Sequence, residues 1–206
     1  MEATARRLTR DERKAETRER LLAAAGRVFA RRGYQAAAVD EVADEAGFST
    51  GALYSNFDGK EDLFLAVLER QISTQVAELS DAIAERPTID ERARGGAELW
   101  MAFLEREPEL VMLFMEFWAF AVRNPHVRGR FAARYAEVRA ALSEMIENGA
   151  RELGVELLIP AEQLATAIDA LADGFALQKL ADPDAVPDEL FGTVLSLLLD
   201  GARRRT

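Results

Sequence analysis

Glycine and proline divide this chain into two regimes before any other side chain is considered. Gly33, Gly47, Gly51 and Gly59 punctuate the first sixty residues, whereas all six prolines lie at or beyond Pro87. Glycine ends helices because it alone enters left-handed backbone without strain, so the leading region can hold only short helices. The first is expected from Thr9 to Arg32, where Leu21, Leu22, Ala25, Val28 and Phe29 follow helical spacing and Gly33 is the stop. A two-turn helix carries Val39, Val42, Ala43 and Ala46 and closes at Gly47. Phe48 then enters the core, Ser49 caps a third helix, and Leu53 with Phe57 form its buried stripe.

A fourth helix is expected to start at Asp58 or Gly59, with Glu61 or Asp62 completing its cap, and to run to about Ala84 on the stripe Phe64, Leu65, Leu68, Ile72, Val76, Leu79 and Ile83. At 1.5 Å per residue it spans about 36 Å, enough to serve two domains. Further helical segments fall near 90–106, 109–123, 126–152, 160–180 and 187–204, separated by prolines and by Gly154. No repeat and no convincing strand is visible. The expectation is an all-α chain of about nine helices, with a three-helix domain over 1–60 and a larger helical domain over 61–206.

The 206 residues are 49% apolar and 30% charged, the composition of a folded globular protein. No apolar stretch follows the basic start, and the run from Leu110 to Val122 is broken by Glu116, so neither secretion nor a membrane span is expected. Zero cysteines exclude disulfides and thiolate zinc sites and suit a reducing cytoplasm. The net charge of -10 is unevenly placed: residues 1 to 35 hold ten basic and five acidic groups, a local +5. A basic leading segment ahead of an acidic body fits local contact with phosphates, although a solvated helix face with pairs such as Glu16 and Arg20 gives the same count.

The stretch GFSTGALYSNF, Gly47 to Phe57, then decides between these. Two short helices joined by a tight turn, the second opening on small polar residues, form the pattern of a helix-turn-helix whose second helix enters the major groove by its N-terminal end. Thr50, Gly51 and Ala52 would face base edges, because bulk there would hold the backbone away from DNA. Tyr54, Asn56 and Lys60 would reach phosphates and fix the register. The bland alternative is an ordinary helix corner with Tyr54 and Phe57 as plain core.

The segment TRERLLAAAGRVFARRGYQAAAVDEVADEAGFSTGALYSNFDGKEDLFLAVLE, residues 17 to 69, resembles the DNA-binding domain of TetR/AcrR-type transcriptional regulators in continuous register. The resemblance implies that Ser49, Thr50, Gly51, Ala52, Tyr54 and Asn56 belong to the recognition helix. It further implies that Lys60 contacts phosphate and that Arg13, Lys14 and Arg18 lie near the flanking backbone. Two positions depart from the family pattern. Ala37 and Ala38 stand where a capping Thr is common, a loss of about 1 kcal/mol that Asp40 and Glu41 offset in part through the helix dipole. Asn56 stands where His is frequent.

In the body, LVMLFMEFWAF is apolar nearly all round and must sit centrally. Such a stripe is first of all core. The resemblance implies that helices four to eight enclose a cavity for a small apolar or amphipathic effector, and Trp100, Phe103, Met115, Trp118, Tyr135 and Phe175 are the candidate lining. Glu116 needs an internal partner such as Arg123, Arg134 or Arg139, or else is protonated or reads a cationic effector. His126 follows Pro125 at a helix start and is expected to be exposed. No metal and no cofactor is expected. Ala167, Ala170 and Gly174 make a flat stripe, and FGTVLSLLL is apolar on most sides, so a two-fold helix pair using these residues with Phe191, Val194, Leu195 and Leu198 is expected to join a homodimer. Central burial of one helix in a monomer is the alternative; an end in Arg203, Arg204 and Arg205 suits it poorly.

These features point to a homodimeric repressor that binds a palindromic double-stranded operator and is released by an effector. An effector-independent or activating DNA-binding dimer is the nearest rival. An enzyme is disfavoured, because no nucleophile-base pair and no phosphate-cradling loop is present.

Overall fold

The computed structural model describes residues 9–204. Helix α1 (Arg10–Ala36) opens on a reciprocal cap: the Thr9 hydroxyl accepts the Glu12 N–H at 3.2 Å, and the Glu12 carboxylate accepts the Thr9 N–H at 2.7 Å. Its regular part stops where the sequence demands, at Gly33, whose φ of 73° and ψ of 168° no other residue adopts cheaply. Helix α2 (Val39–Ala46) has no side-chain cap at Ala38, as the missing hydroxyl implies, and is closed by left-handed Gly47, with the Phe48 N–H bonded to the Ala43 carbonyl. Helix α3 (Thr50–Tyr54) is capped by Ser49, which accepts the Ala52 N–H at 3.2 Å. Helix α4 (Lys60–Ala84) begins with the Asp62 carboxylate accepting the Asp58 N–H.

Four more helices follow: α5 (Ile89–Arg106), α6 (Pro108–Arg123), α7 (Pro125–Glu152) and α8 (Ala161–Ala181). A single 3-10 turn, Pro183–Ala185, leads to α9 (Asp188–Gly201). Among the described residues the only extended pairing is an isolated antiparallel bridge between Leu157 and Arg203.

Packing divides the chain into two units, and the division is not one cut in sequence. The first unit gathers the chain up to Arg70 together with Leu113–Phe120; the second gathers Gln71–Met112 and everything from Ala121 on. Helices α4 and α6 therefore contribute residues to both. In the first unit the aromatic core is Phe29, Tyr34, Phe64 and Phe117, with Phe64 and Phe117 stacked at 4.2 Å between centroids and Tyr34 edge-on to both. In the second unit α9 lies along α5 and α7 lies along α8. Buried Gly192 lies at this contact: a Cβ there would meet Ala97 and the Arg94 backbone at 3.5 Å, ordinary packing distance.

Candidate nucleic-acid interface

Helices α2 and α3 meet through the turn Gly47 to Ser49, and α1 straps them from behind. The Arg20 guanidinium donates to the Ala46 carbonyl at the end of α2 and lies over the Phe48 ring, 4.7 Å from its centroid. The Arg18 guanidinium donates to the Asn56 carbonyl past the end of α3 and covers the Phe57 ring at 4.3 Å. Both cations satisfy helix-end carbonyls, which is why two arginines two residues apart on α1 fix the angle of the corner. Leu53 and Phe57 are buried beneath α3, while Tyr54 is 56% exposed, which removes the reading of Tyr54 as core.

The opening of α3 is accessible. Ser49 and Gly51 are exposed, and Thr50 and Ala52 are half-exposed. A Cβ placed on Gly51 would meet only the Ser49 hydroxyl, at 3.8 Å. The fold thus has no internal need for glycine at this position. Arg13 and Lys14 lie exposed on the second turn of α1.

Three side chains have internal partners that the sequence did not show. Asn56 turns back on its own helix, donating its amide to the Ala52 carbonyl at 2.8 Å, with its side-chain oxygen buried and unpaired. Lys60 points its ammonium to the Gln35 carbonyl at 2.9 Å and sits 4.9 Å from the centre of the Tyr34 ring; partial burial lowers its pKa. It holds the turn after Gly33. Glu116 is paired with none of the arginines expected: its carboxylate accepts the backbone N–H groups of Tyr34 and Gln35 at 2.9 and 2.8 Å. Backbone amides carry no sequence signature, so this partner was invisible in the sequence.

The local positive charge is also partly spent inside the protein. Arg27 and Arg31 converge on Glu45, and Arg32 bonds Glu41 at 3.2 Å. The hydrogen bonds from Arg31 and then Arg27 hold the Glu45 carboxyl down to about 2. The sequence also gave no hint that Asp40 would do more than offset the α2 dipole. Its carboxylate accepts the hydroxyl proton of Thr50 at 3.1 Å.

The seven candidate effector contacts do not share one unit. Met115, Glu116 and Trp118 belong with the first, and Trp118 is 45% exposed, so it is not an enclosed lining residue. Trp100, Phe103, Tyr135 and Phe175 belong with the second. Trp100 stacks on Phe103 and donates its indole N–H to the Ala172 carbonyl at 3.2 Å. Tyr135 on α7 donates its hydroxyl to Asp173 on α8 at 2.6 Å. Burial, reinforced by Asp173, raises the neighbouring Asp169 carboxyl to about 6. His126 is exposed, as expected. A groove of about 310 Å³ between α5 and α9 is lined by Asp90, Arg94, Ser196, Leu197, Asp200 and Arg203, none of them foreseen as ligand contacts.

Burial also redraws the expected dimer face. Phe191 and Leu195 are 2% and 6% exposed, consumed by the packing of α9 on α5 and by the contact of Phe191 with Phe175. On the rest of α9, Leu190 and Leu197 are exposed, the latter 69%, while Val194 and Leu198 are half-buried. On α8, Ala167 and Gly174 are half-exposed and Ala170 is exposed, continuous with exposed Leu177. Arg205 lies outside the described residues. Among the described residues no helix is long and apolar enough to cross a membrane, and no cluster of side chains could hold a metal.

Known proteins share both regions. Residues 21–67 match the family of bacterial regulatory proteins of tetR type, and residues 88–202 match the C-terminal region of BetI-type transcriptional repressors. The HTH-type transcriptional activator FasR of Mycolicibacterium smegmatis is 39% identical over 110 residues, covering 53% of this chain and 48% of that protein, so the match spans about half of that relative. The nicotine-responsive repressor HdnoR of Paenarthrobacter nicotinovorans is 25% identical over 82% of this chain and 86% of its own length. A transcriptional-regulator structure from Saccharomonospora viridis, solved in complex with choline, shares the fold with a TM-score of 0.68 at 24% identity, over 93% of this chain and 100% of that one. With an exposed, small-residue helix on a strapped corner and these matches over residues 21–67 and 88–202, the chain belongs to the TetR family of bacterial transcriptional regulators.

Proposed function

We propose that this regulator is a homodimeric repressor that binds a palindromic operator through two copies of α3 and is released by a small organic effector bound in the second unit. The observation that carries the DNA contact is Gly51: it costs helix propensity of about 1 kcal/mol relative to alanine, and no internal contact requires it. A glycine that the fold does not need is explained by close approach of something outside, and a major-groove edge is what the first turn of α3 faces in a helix-turn-helix. Ser49, Thr50, Gly51, Ala52 and Tyr54 are the contacts on this reading, with Arg13 and Lys14 on the flanking phosphates.

The dimer uses the outward faces of α8 and α9: Ala170, Gly174 and Leu177 against Leu190, Val194 and Leu197 of a second copy. Nicotine response in one relative and choline in another structure support a small organic effector, with Trp100, Phe103, Tyr135 and Phe175 as its candidate contacts. An activating role has support of its own in the FasR likeness.

Selection from a random duplex pool by the purified protein tests the DNA reading. An inverted repeat with half-site centres about one helical turn apart is expected; failure to enrich any sequence removes the proposal. Tryptophan fluorescence titrated with nicotine and with choline is the first test of the effector class.

A further inference from the structure

The hydroxyl of Thr50 has one proton, and Asp40 takes it. Asp40 is exposed near the start of α2, Thr50 opens α3, and their side chains meet at 3.1 Å. A carboxylate can only accept, so the direction of this bond is fixed by chemistry: Thr50 donates. What Thr50 then offers outward is lone-pair density on its oxygen and a γ-methyl group. Without Asp40 the same hydroxyl could donate or accept as its target required.

We infer that Asp40 is a specificity-determining positioning residue, which makes Thr50 an acceptor-only reader of a base edge that bears an amino group. This inference rests on the proposed docking of α3 in the major groove. In that groove adenine presents N6–H₂ and cytosine presents N4–H₂ as donors, whereas guanine presents only the acceptors N7 and O6, and thymine presents O4 with a methyl group. An acceptor-only Thr50 beside an anionic Asp40 selects adenine or cytosine and repels guanine.

The chemistry that Asp40 imposes differs from ordinary phosphate recognition in its signature. Removing a surface carboxylate near DNA raises affinity for all sequences alike and changes the salt dependence. Removing a carboxylate that fixes the polarity of a hydroxyl changes the preference at one base pair in each half-site and leaves the others as they were.

The test is selection from a random duplex pool by the full chain, followed by affinity measurements on the selected operator carrying each of the four bases at every position. The wild type is expected to hold one position per half-site at adenine or cytosine, about tenfold over guanine. Asp40→Ala is expected to erase that preference at that position alone. Thr50→Val, which removes the hydroxyl but keeps the shape, is expected to erase it too, and the double variant to lose no more than either single one. Thr50→Ser keeps the hydroxyl and is expected to keep the preference. A uniform rise in affinity on Asp40→Ala with every base preference intact overturns the inference while leaving operator binding standing. A wild-type selection that enriches no sequence overturns the docking itself, and the inference with it.

Discussion

Glu116 closes on Gly33 so tightly that a Cβ at that glycine would lie 2.7 Å from the nearer carboxylate oxygen. The same carboxylate accepts the next two backbone N–H groups, those of Tyr34 and Gln35, while the Lys60 ammonium donates to the Gln35 carbonyl. A carboxylate from α6, an ammonium from α4 and a left-handed glycine in α1 thus define one turn.

Glu116→Ala leaves two amides without their charged acceptor and is expected to destabilise the protein by about 2–4 kcal/mol, read as a lower urea midpoint at unchanged slope. Gly33→Ala is expected to cost a comparable amount, because it adds the clash to a backbone penalty of about 1–3 kcal/mol. Amide hydrogen exchange at Tyr34 and Gln35 should quicken in the first variant more than at Leu21 or Leu22.

Gly51→Ala should act in opposite directions on folding and on binding. The free protein is expected to gain about 0.5–1 kcal/mol, because alanine is the better helix former and open space receives its methyl group. Operator affinity is expected to fall at the same time. Thermal melting and fluorescence anisotropy with operator duplex separate the two effects; a gain in both would remove the close-approach role.

Charge placement predicts the salt response. Arg13→Ala and Lys14→Ala should each reduce the slope of log affinity against log salt by about one. Arg27→Ala should not, since its guanidinium is committed to Glu45.

Asp169 sets a pH dependence whose sign is opposite to that of Glu45. Its carboxyl is raised to about 6 by burial and by Asp173, against about 3.9 in the unfolded chain, so between these values the folded state holds a proton that the unfolded state has released. Stability from this group therefore falls as pH rises from about 4 to about 6. Asp169→Asn is expected to flatten that decline and to raise Tm at pH 7 by a few degrees (~2–4 °C). Glu45, lowered to about 2, contributes stability that is present above its unfolded pKa and is lost as pH falls toward 2. Melts of wild type and variant at matched ionic strength isolate the Asp169 contribution as their difference.

The two faces of α9 predict different failures. Leu197→Glu should leave the protomer folded and shift size-exclusion elution to the monomer. Phe191→Ala opens a cavity between α9, α5 and α8 and is expected to cost about 3–5 kcal/mol, lowering Tm first.

Helix positions were legible because their determinants are local. Thr9, Gly47 and Ser49 are caps and stops whose chemistry acts within four residues, and they set the start of α1, the end of α2 and the start of α3; Gly33 breaks the regular helix as expected, but α1 continues past it to Ala36. The burial of Leu53 and Phe57 was expected from helical spacing, whereas spacing left Tyr54 open and the structure exposes it. Three partnerships were illegible for separate reasons. Glu116 reaches backbone amides 81 and 82 residues away, which no side-chain pattern marks. Phe191 and Leu190 are adjacent large apolar residues on a helix apolar on most sides, so periodicity could not say which would face α5 and which would face outward. Asp40 meets Thr50 only because the turn at Gly47 folds α3 back against the start of α2, a relation of angle rather than of spacing.

Gly51 also bears on how such a protein can be improved in the laboratory. A screen that rewards heat resistance would favour alanine at this position, since nothing in the folded chain opposes it. On the proposed docking of α3, the winners of that screen would be sturdier and weaker on their operator, so directed evolution of this regulator has to score recognition in every round.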